Sequence, residues 1–112
     1  MLGEVVGQIK FDNIVLDVYQ SVNEPLFRAS DVAEIIEYSA NNVWKMLELC
    51  EEDEKLAIPI VVSGQRRVVN FVTENGLYNI LSQSRKPIAR KWRRIIHDEL
   101  IRARRDRGLD II

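Results

Sequence analysis

Phe71-Val72-Thr73-Glu74-Asn75-Gly76-Leu77-Tyr78 decides the fold class, because strand chemistry gives way to helix chemistry within it at a single residue. Upstream, Arg67 to Val72 reads as a strand, and Ile58 to Val62 as its partner across a turn of Ser63-Gly64-Gln65-Arg66. Downstream, the Thr73 hydroxyl is placed to cap a helix that runs through Leu81 and partly buries Leu77, Tyr78, Ile80 and Leu81. A hairpin that feeds a helix directly calls for both element types around one core.

The remainder of the chain repeats this mixture. Ile9 and Phe11 alternate with polar neighbours, Asp12-Asn13 is turn chemistry, and Ile14, Leu16 and Val18 alternate again, which is a second hairpin. Asn23-Glu24-Pro25 turns the chain into a short strand at Leu26 and Phe27. Ser30 has the side chain of a helix cap, with Asp31 and Glu34 supplying negative charge to the first turn. Val32, Ala33, Ile35 and Ile36 then form the buried side of a helix of about seven residues. Ser39 caps a second helix in which Val43, Met46, Leu47 and Cys50 recur at helical spacing. Ser84 and Pro87 open the last and longest helix, with Ile88, Trp92, Ile95, Ile96, Leu100 and Ala103 on one side and Arg90, Arg93, Arg94, His97 and Arg104 on the other. Gly108 is its natural stop. The expected fold is therefore α+β: a small antiparallel sheet of hairpins, a helix-turn-helix-like pair of short helices, and a long basic amphipathic helix at the C-terminal end.

At 112 residues the chain is expected to form a single domain spanning 1–112. Hydrophobic residues at 46% and charged residues at 29% exclude a disordered composition. No apolar run approaches a membrane span, and MLGEVVGQIK lacks the features of a signal peptide, so no membrane association and a cytoplasmic location are expected. Cys50 is the only cysteine, which excludes an internal disulfide and a metal site of paired thiolates. Glu51 to Lys55 reads as a solvated charged loop, since it lacks the spaced oxygen ligands and glycine of a calcium site. The net charge of -1 conceals a strong asymmetry: residues 1–84 carry six basic and thirteen acidic side chains, and residues 85–112 carry ten basic and four acidic. Positive charge gathered on one surface attracts polyanions whatever the total, because screening acts over only about 8 Å at physiological salt.

Several ordered phrases resemble the N-terminal domain of the BRO family. In the second half these are Phe71 to Tyr78, Ser84-Arg85-Lys86-Pro87-Ile88-Ala89 and Trp92-Arg93-Arg94; in the first they are Phe27-Arg28-Ala29-Ser30-Asp31-Val32-Ala33, Tyr38-Ser39 and the acidic Glu52-Asp53-Glu54-Lys55. The resemblance covers about residues 9–108. It implies an α+β domain of phage and viral regulatory proteins, credited with binding double-stranded DNA and commonly joined to a separate C-terminal domain. The chain is accordingly expected to be one module of a longer prophage antirepressor, acting in a bacterial host. Three positions depart from the family pattern: Glu37 stands where glycine is usual, Ile95 where tryptophan is usual, and Arg102 where a proline is usual. Without that proline the last helix is free to continue, longer and more basic.

Two surfaces are candidates for DNA. Residues 30–47 fit helix-turn-helix spacing, with Ala33 as the small residue for close helix approach, Ile36, Val43 and Met46 at the helix contact, and Glu37 at the corner. The second helix then offers Ser39, Asn41, Asn42 and Lys45 for base readout, asparagine being able to bond adenine edges in pairs; equally, Asn41 and Asn42 are residues that turn or cap a helix start. Trp44 points away from the buried side and suits packing against the hairpin or a second subunit. In the last helix Arg85, Lys86, Arg90, Arg93, Arg94, Arg104 and Arg105 are candidates to track phosphates, against the alternative of a solvated face paired with local acids. Arg66 and Arg67 at the hairpin tip can add a minor-groove or backbone contact, or serve solubility alone.

No nucleophile and base, glycine-rich phosphate loop or metal cluster is legible, and the one histidine, His97, reads as an exposed residue of the polar helix face. The chain is expected to be no enzyme and to use no cofactor or metal. The rival reading is a protein-interaction module that binds a phage repressor or self-associates as a homodimer without touching DNA.

Overall fold

The computed structural model describes residues 4–11 and 13–106, with the backbone alone for Ala40 and Val62. Asp12, half of the first expected turn, and Gly108, the expected stop of the last helix, lie outside the described residues. The chain forms strands β1 (Val5–Phe11), β2 (Ile14–Gln20) and β3 (Pro25–Arg28), helices α1 (Ala29–Ile35) and α2 (Val43–Leu47), strands β4 (Lys55–Val62) and β5 (Gln65–Thr73), and helices α3 (Glu74–Gln83) and α4 (Pro87–Asp106). The strands make one antiparallel sheet in the order β1-β2-β3-β5-β4. The α+β architecture expected from the sequence is the one observed.

Three local expectations are corrected. Ser30 does not cap α1: the helix starts two residues earlier than a Ser30 cap would place it, behind an extended Arg28 that makes no side-chain cap bond. Arg28 is still paired with Phe71 in the sheet, so strand register rather than capping chemistry fixes where the helix begins. The turn between β4 and β5 is only Ser63-Gly64, with Gln65 and Arg66 already in the strand. Both turn residues take positive φ, 52° and 80°, the combination whose twist matches a two-residue hairpin. The second short helix is divided into a 3-10 turn, Ala40–Asn42, capped by Ser39, and the five residues of α2.

Cross-strand partners share a face, which sorts the sheet into two apolar layers. Ile9, Leu16, Val18, Phe27 and Val72 face the helices and join Val32, Leu77, Ile80, Trp92, Ile96 and Leu100 in the main core. Trp92 is fully buried and meets Phe11 in a T-shaped contact, 5.5 Å between ring centroids. On the opposite face Tyr19, Leu26, Val69 and Phe71 form a smaller cluster made of strand residues alone, flanked by Ile58 and Ile60. The acidic segment at 51–54 is more than a solvated loop. It closes a 3-10 turn in which Glu54 accepts from the Glu51 amide at 2.8 Å, and the same carboxylate accepts from Asn79 on α3 at 2.8 and 2.9 Å.

Candidate nucleic-acid interface

α3 ends in a serine turn and α4 returns alongside it. Ser84 Oγ accepts from the Lys86 amide at 3.3 Å, and Pro87 heads α4, where a missing amide donor costs nothing. Three contacts, in opposite order along the two helices, hold them antiparallel. Arg104 meets Glu74 at 2.6 Å, the His97 and Tyr78 rings lie 6.1 Å apart, and Arg93 donates to Ser82 Oγ at 2.9 Å. Trp92, Ile96 and Leu100 turn into the core, which leaves the arginine stripe of α4 facing outward along α3.

That stripe is gathered. Arg90, Arg93, Arg94 and His97 line one shallow cleft with Tyr78, and Arg85, Lys86, Arg90 and Arg93 line the next. Arg90 and Arg93 belong to both clefts, so the cationic surface is continuous from Arg85 to His97. Lys91, outside the polar stripe of the helix pattern, also borders it. Among the described residues Arg85, Arg90 and Arg94 have no carboxylate within ion-pair distance, and Arg93 is held by a neutral hydroxyl. Asp98 is the acid that borders the first cleft, 3.8 Å from His97 Nδ1.

Arg104 is differently engaged. Its guanidinium donates to the Val22 carbonyl at 2.9 Å and to Glu74, with a side chain only 20% exposed. It ties α4 to the loop after β2 and to the start of α3, and is not presented with the other arginines. Arg105 is exposed near the end of α4 and also has an interaction within the fold. Arg102, at the position of the usual family proline, pairs with Glu99 at 2.9 Å, and α4 continues past it to Asp106.

The α1–α2 corner lies beside the start of α4. Lys86 Nζ is 3.5 Å from the Glu37 carboxylate and 3.3 Å from the Glu37 carbonyl. Glu37 itself has φ of 57°, and the bonds Tyr38 N to Ala33 O (2.7 Å) and Glu37 N to Glu34 O (3.1 Å) complete a helix stop normally built on glycine. Ala33, Ile36 and Met46 are buried at the helix contact. Ser39 does the capping, accepting from the Asn41 amide at 3.3 Å, whereas the Asn42 side chain makes no cap bond at the head of α2. Ser39, Asn41 and Lys45 are exposed, and Asn42 is half-buried. Trp44 is 58% exposed, with Lys45 Nζ 5.4 Å from its ring centroid. Arg66 and Arg67 are exposed near the far end of the β4–β5 hairpin and have no ion pair among the described residues.

A family model described as the BRO family, N-terminal domain, matches residues 15–102. The chain belongs to the BRO family. No curated protein and no solved structure matches it. Membership implies a regulatory role of the phage antirepressor type. Among the described residues of this BRO domain, no helix is long and apolar enough to cross a membrane. The phrases that carried the resemblance are structural in large part: Thr73 caps α3 by accepting from the Gly76 amide at 3.2 Å, and Val32 and Ala33 pack α1 into the core. The basic residues of the Ser84–Ala89 and Trp92–Arg94 phrases belong to the cationic surface.

Proposed function

We propose that this BRO domain is the DNA-binding module of a prophage antirepressor and acts in phage transcription as one part of a longer protein. The supporting observation is the continuous surface from Arg85 to His97, on which Arg85, Arg90 and Arg94 have no carboxylate partner among the described residues. A protein that keeps guanidiniums unneutralised and adjacent on one helix face has a surface suited to a line of phosphates, since each phosphate contact releases a condensed counterion. Through Lys86 this surface adjoins the α1–α2 corner, where Asn41, Asn42 and Lys45 are available for base edges. The role requires no catalytic step, metal or cofactor.

The test is a mobility-shift titration of wild type and the Arg90→Ala/Arg93→Ala/Arg94→Ala variant on specific and scrambled duplexes across a salt series. The variant is expected to bind all duplexes more weakly, with a salt slope reduced by about 2 to 3. Unchanged affinity and slope would remove α4 from the interface. A second reading, a protein-binding module for a repressor or a second copy, is favoured by the exposed Trp44 at 58% beside Leu56 at 42%. It predicts association that responds weakly to salt and is lost in Trp44→Ser.

A further inference from the structure

The order β3-α1-α2-β4-β5, with β3 and β4 on either side of β5, places a helix pair on a three-stranded sheet whose last two strands form a hairpin. That is the connectivity of a winged helix-turn-helix. The hairpin extends well beyond the sheet. β5 pairs with β3 only at Phe71–Thr73, while residues 65–70 pair with β4 alone, an arm of about 20 Å at strand rise.

The register shows which residues the arm presents beside α2. Ala57 with Asn70, Pro59 with Val68, and Val61 with Arg66 are successive partners on one face. Ala57 and Asn70 line a cleft with Trp44 and Leu47 of α2, and Asn70 lines another with Val43. α2 therefore lies against the base of the arm, on that face. Arg66 lies four residues further out, about 13 Å beyond Asn70, a reach comparable with the roughly 12 Å width of a major groove. Between them Val68 is 67% exposed, and Val61, next to it on the same face, is 68% exposed. Solubility alone does not call for two bare valines on a projecting arm. Proteins that bind the minor groove combine cationic side chains with apolar ones.

We infer that the β4–β5 hairpin is a wing that contacts DNA next to α2: with α2 at the major groove, Arg66 enters the adjoining minor groove and Val61 and Val68 lie along its sugars. The inference rests on the DNA-binding reading above and adds to it a second groove and a sequence preference. Narrow minor grooves of A·T tracts concentrate negative potential, so an arginine inserted there favours A·T-rich flanks without reading individual bases.

The test uses duplexes selected by the wild-type chain from a random pool and rebuilt with A-tract or G·C flanks. Arg66→Ala/Arg67→Ala, both exposed and so compatible with folding, is expected to bind the A-tract duplex about tenfold more weakly and to lose the distinction between flanks. Hydroxyl-radical protection of the flanking minor groove should vanish with it. The Arg90→Ala/Arg93→Ala/Arg94→Ala variant should lose affinity yet keep the flank preference. Wild-type binding with flank preference and protection unchanged in the arm variant would overturn the wing and leave the DNA-binding reading standing, whereas no duplex binding by the wild type would overturn both. If Val61→Ser/Val68→Ser converts a DNA-free dimer into a monomer in sedimentation, a second copy covers this face and the wing is overturned.

Discussion

Arg104 and Glu74 join the end of α4 to the start of α3 through a 2.6 Å bond between a guanidinium and a carboxylate that are 20% and 23% exposed. Glu74 also accepts the Tyr78 hydroxyl at 2.9 Å, and Arg104 also donates to the Val22 carbonyl. Arg104→Ala leaves a partly buried carboxylate with one donor and a carbonyl with none. It is expected to cost about 2 kcal/mol of stability and to leave duplex affinity unchanged below the melting temperature. Thermal melts of Arg104→Ala, Glu74→Gln and the double variant check this, because coupled partners give a double variant less damaged than the sum. Reduced DNA affinity in well-folded Arg104→Ala would return this arginine to the interface.

Gly76 is required by an approach rather than by a turn. A Cβ at that position would lie 2.5 Å from the Glu54 carbonyl oxygen and 3.2 Å from Glu54 Cβ, against a segment that Asn79 also clamps. Alanine is the better helix former by about 1 kcal/mol, so propensity alone predicts that Gly76→Ala is stabilising. The contact with backbone outweighs it. We expect a net loss of about 2 kcal/mol, read in a urea titration as a lower midpoint at unchanged slope.

Those two relationships mark the boundary of what the sequence discloses. The first hairpin, the Thr73 cap and the two-sided α4 are legible because each is set within a few residues by alternation, a hydroxyl or a period of 3.6. The start of α1 is not, because Arg28 is held in the sheet by Phe71, a residue far along the chain. Arg104 falls on the same stripe of the helix pattern as Arg90 and Arg94, and only the packing of α3 beside α4 separates a tether from an open cation. The Glu54–Asn79 clamp joins residues 25 apart, beyond the reach of any local pattern, although the acidic run and the glycine it docks against both stand in the phrases that resemble the family.

Glu37 holds a left-handed conformation, φ 57°, at a position where the family pattern has glycine. A side chain there strains the helix stop by about 1 kcal/mol, and the ion pair with Lys86, at 46% and 67% side-chain exposure, returns little. Glu37→Gly is therefore expected to raise the melting temperature by a few degrees, roughly 4 °C. Glu37→Ala separates the causes: it removes the carboxylate and keeps the strain, so it should give no gain. Equal stabilisation by alanine and glycine would attribute the effect to charge and discard the conformational argument.

Tyr78 gives the domain a defined weakness at alkaline pH. Burial, followed by its hydrogen bond to Glu74 and the charge of that carboxylate, raises the phenol well above its ordinary value near 10, with Arg104 opposing. Below about pH 10 the phenol is protonated whether the chain is folded or not, and its contribution to stability is complete. Above it the unfolded chain releases the proton while the folded chain keeps it, so stability falls as pH rises toward the higher folded value. Tyr78→Phe retains the ring and removes the proton: it should be less stable by about 1 kcal/mol at neutral pH and decline less steeply between about pH 9.5 and 11. Tyr19 and Cys50, both held protonated chiefly by burial, keep part of the decline in the variant. Melting temperatures followed across that range for both proteins provide the check, and parallel curves would mean that the Tyr78 hydroxyl ionises as readily in the folded chain as in the unfolded one.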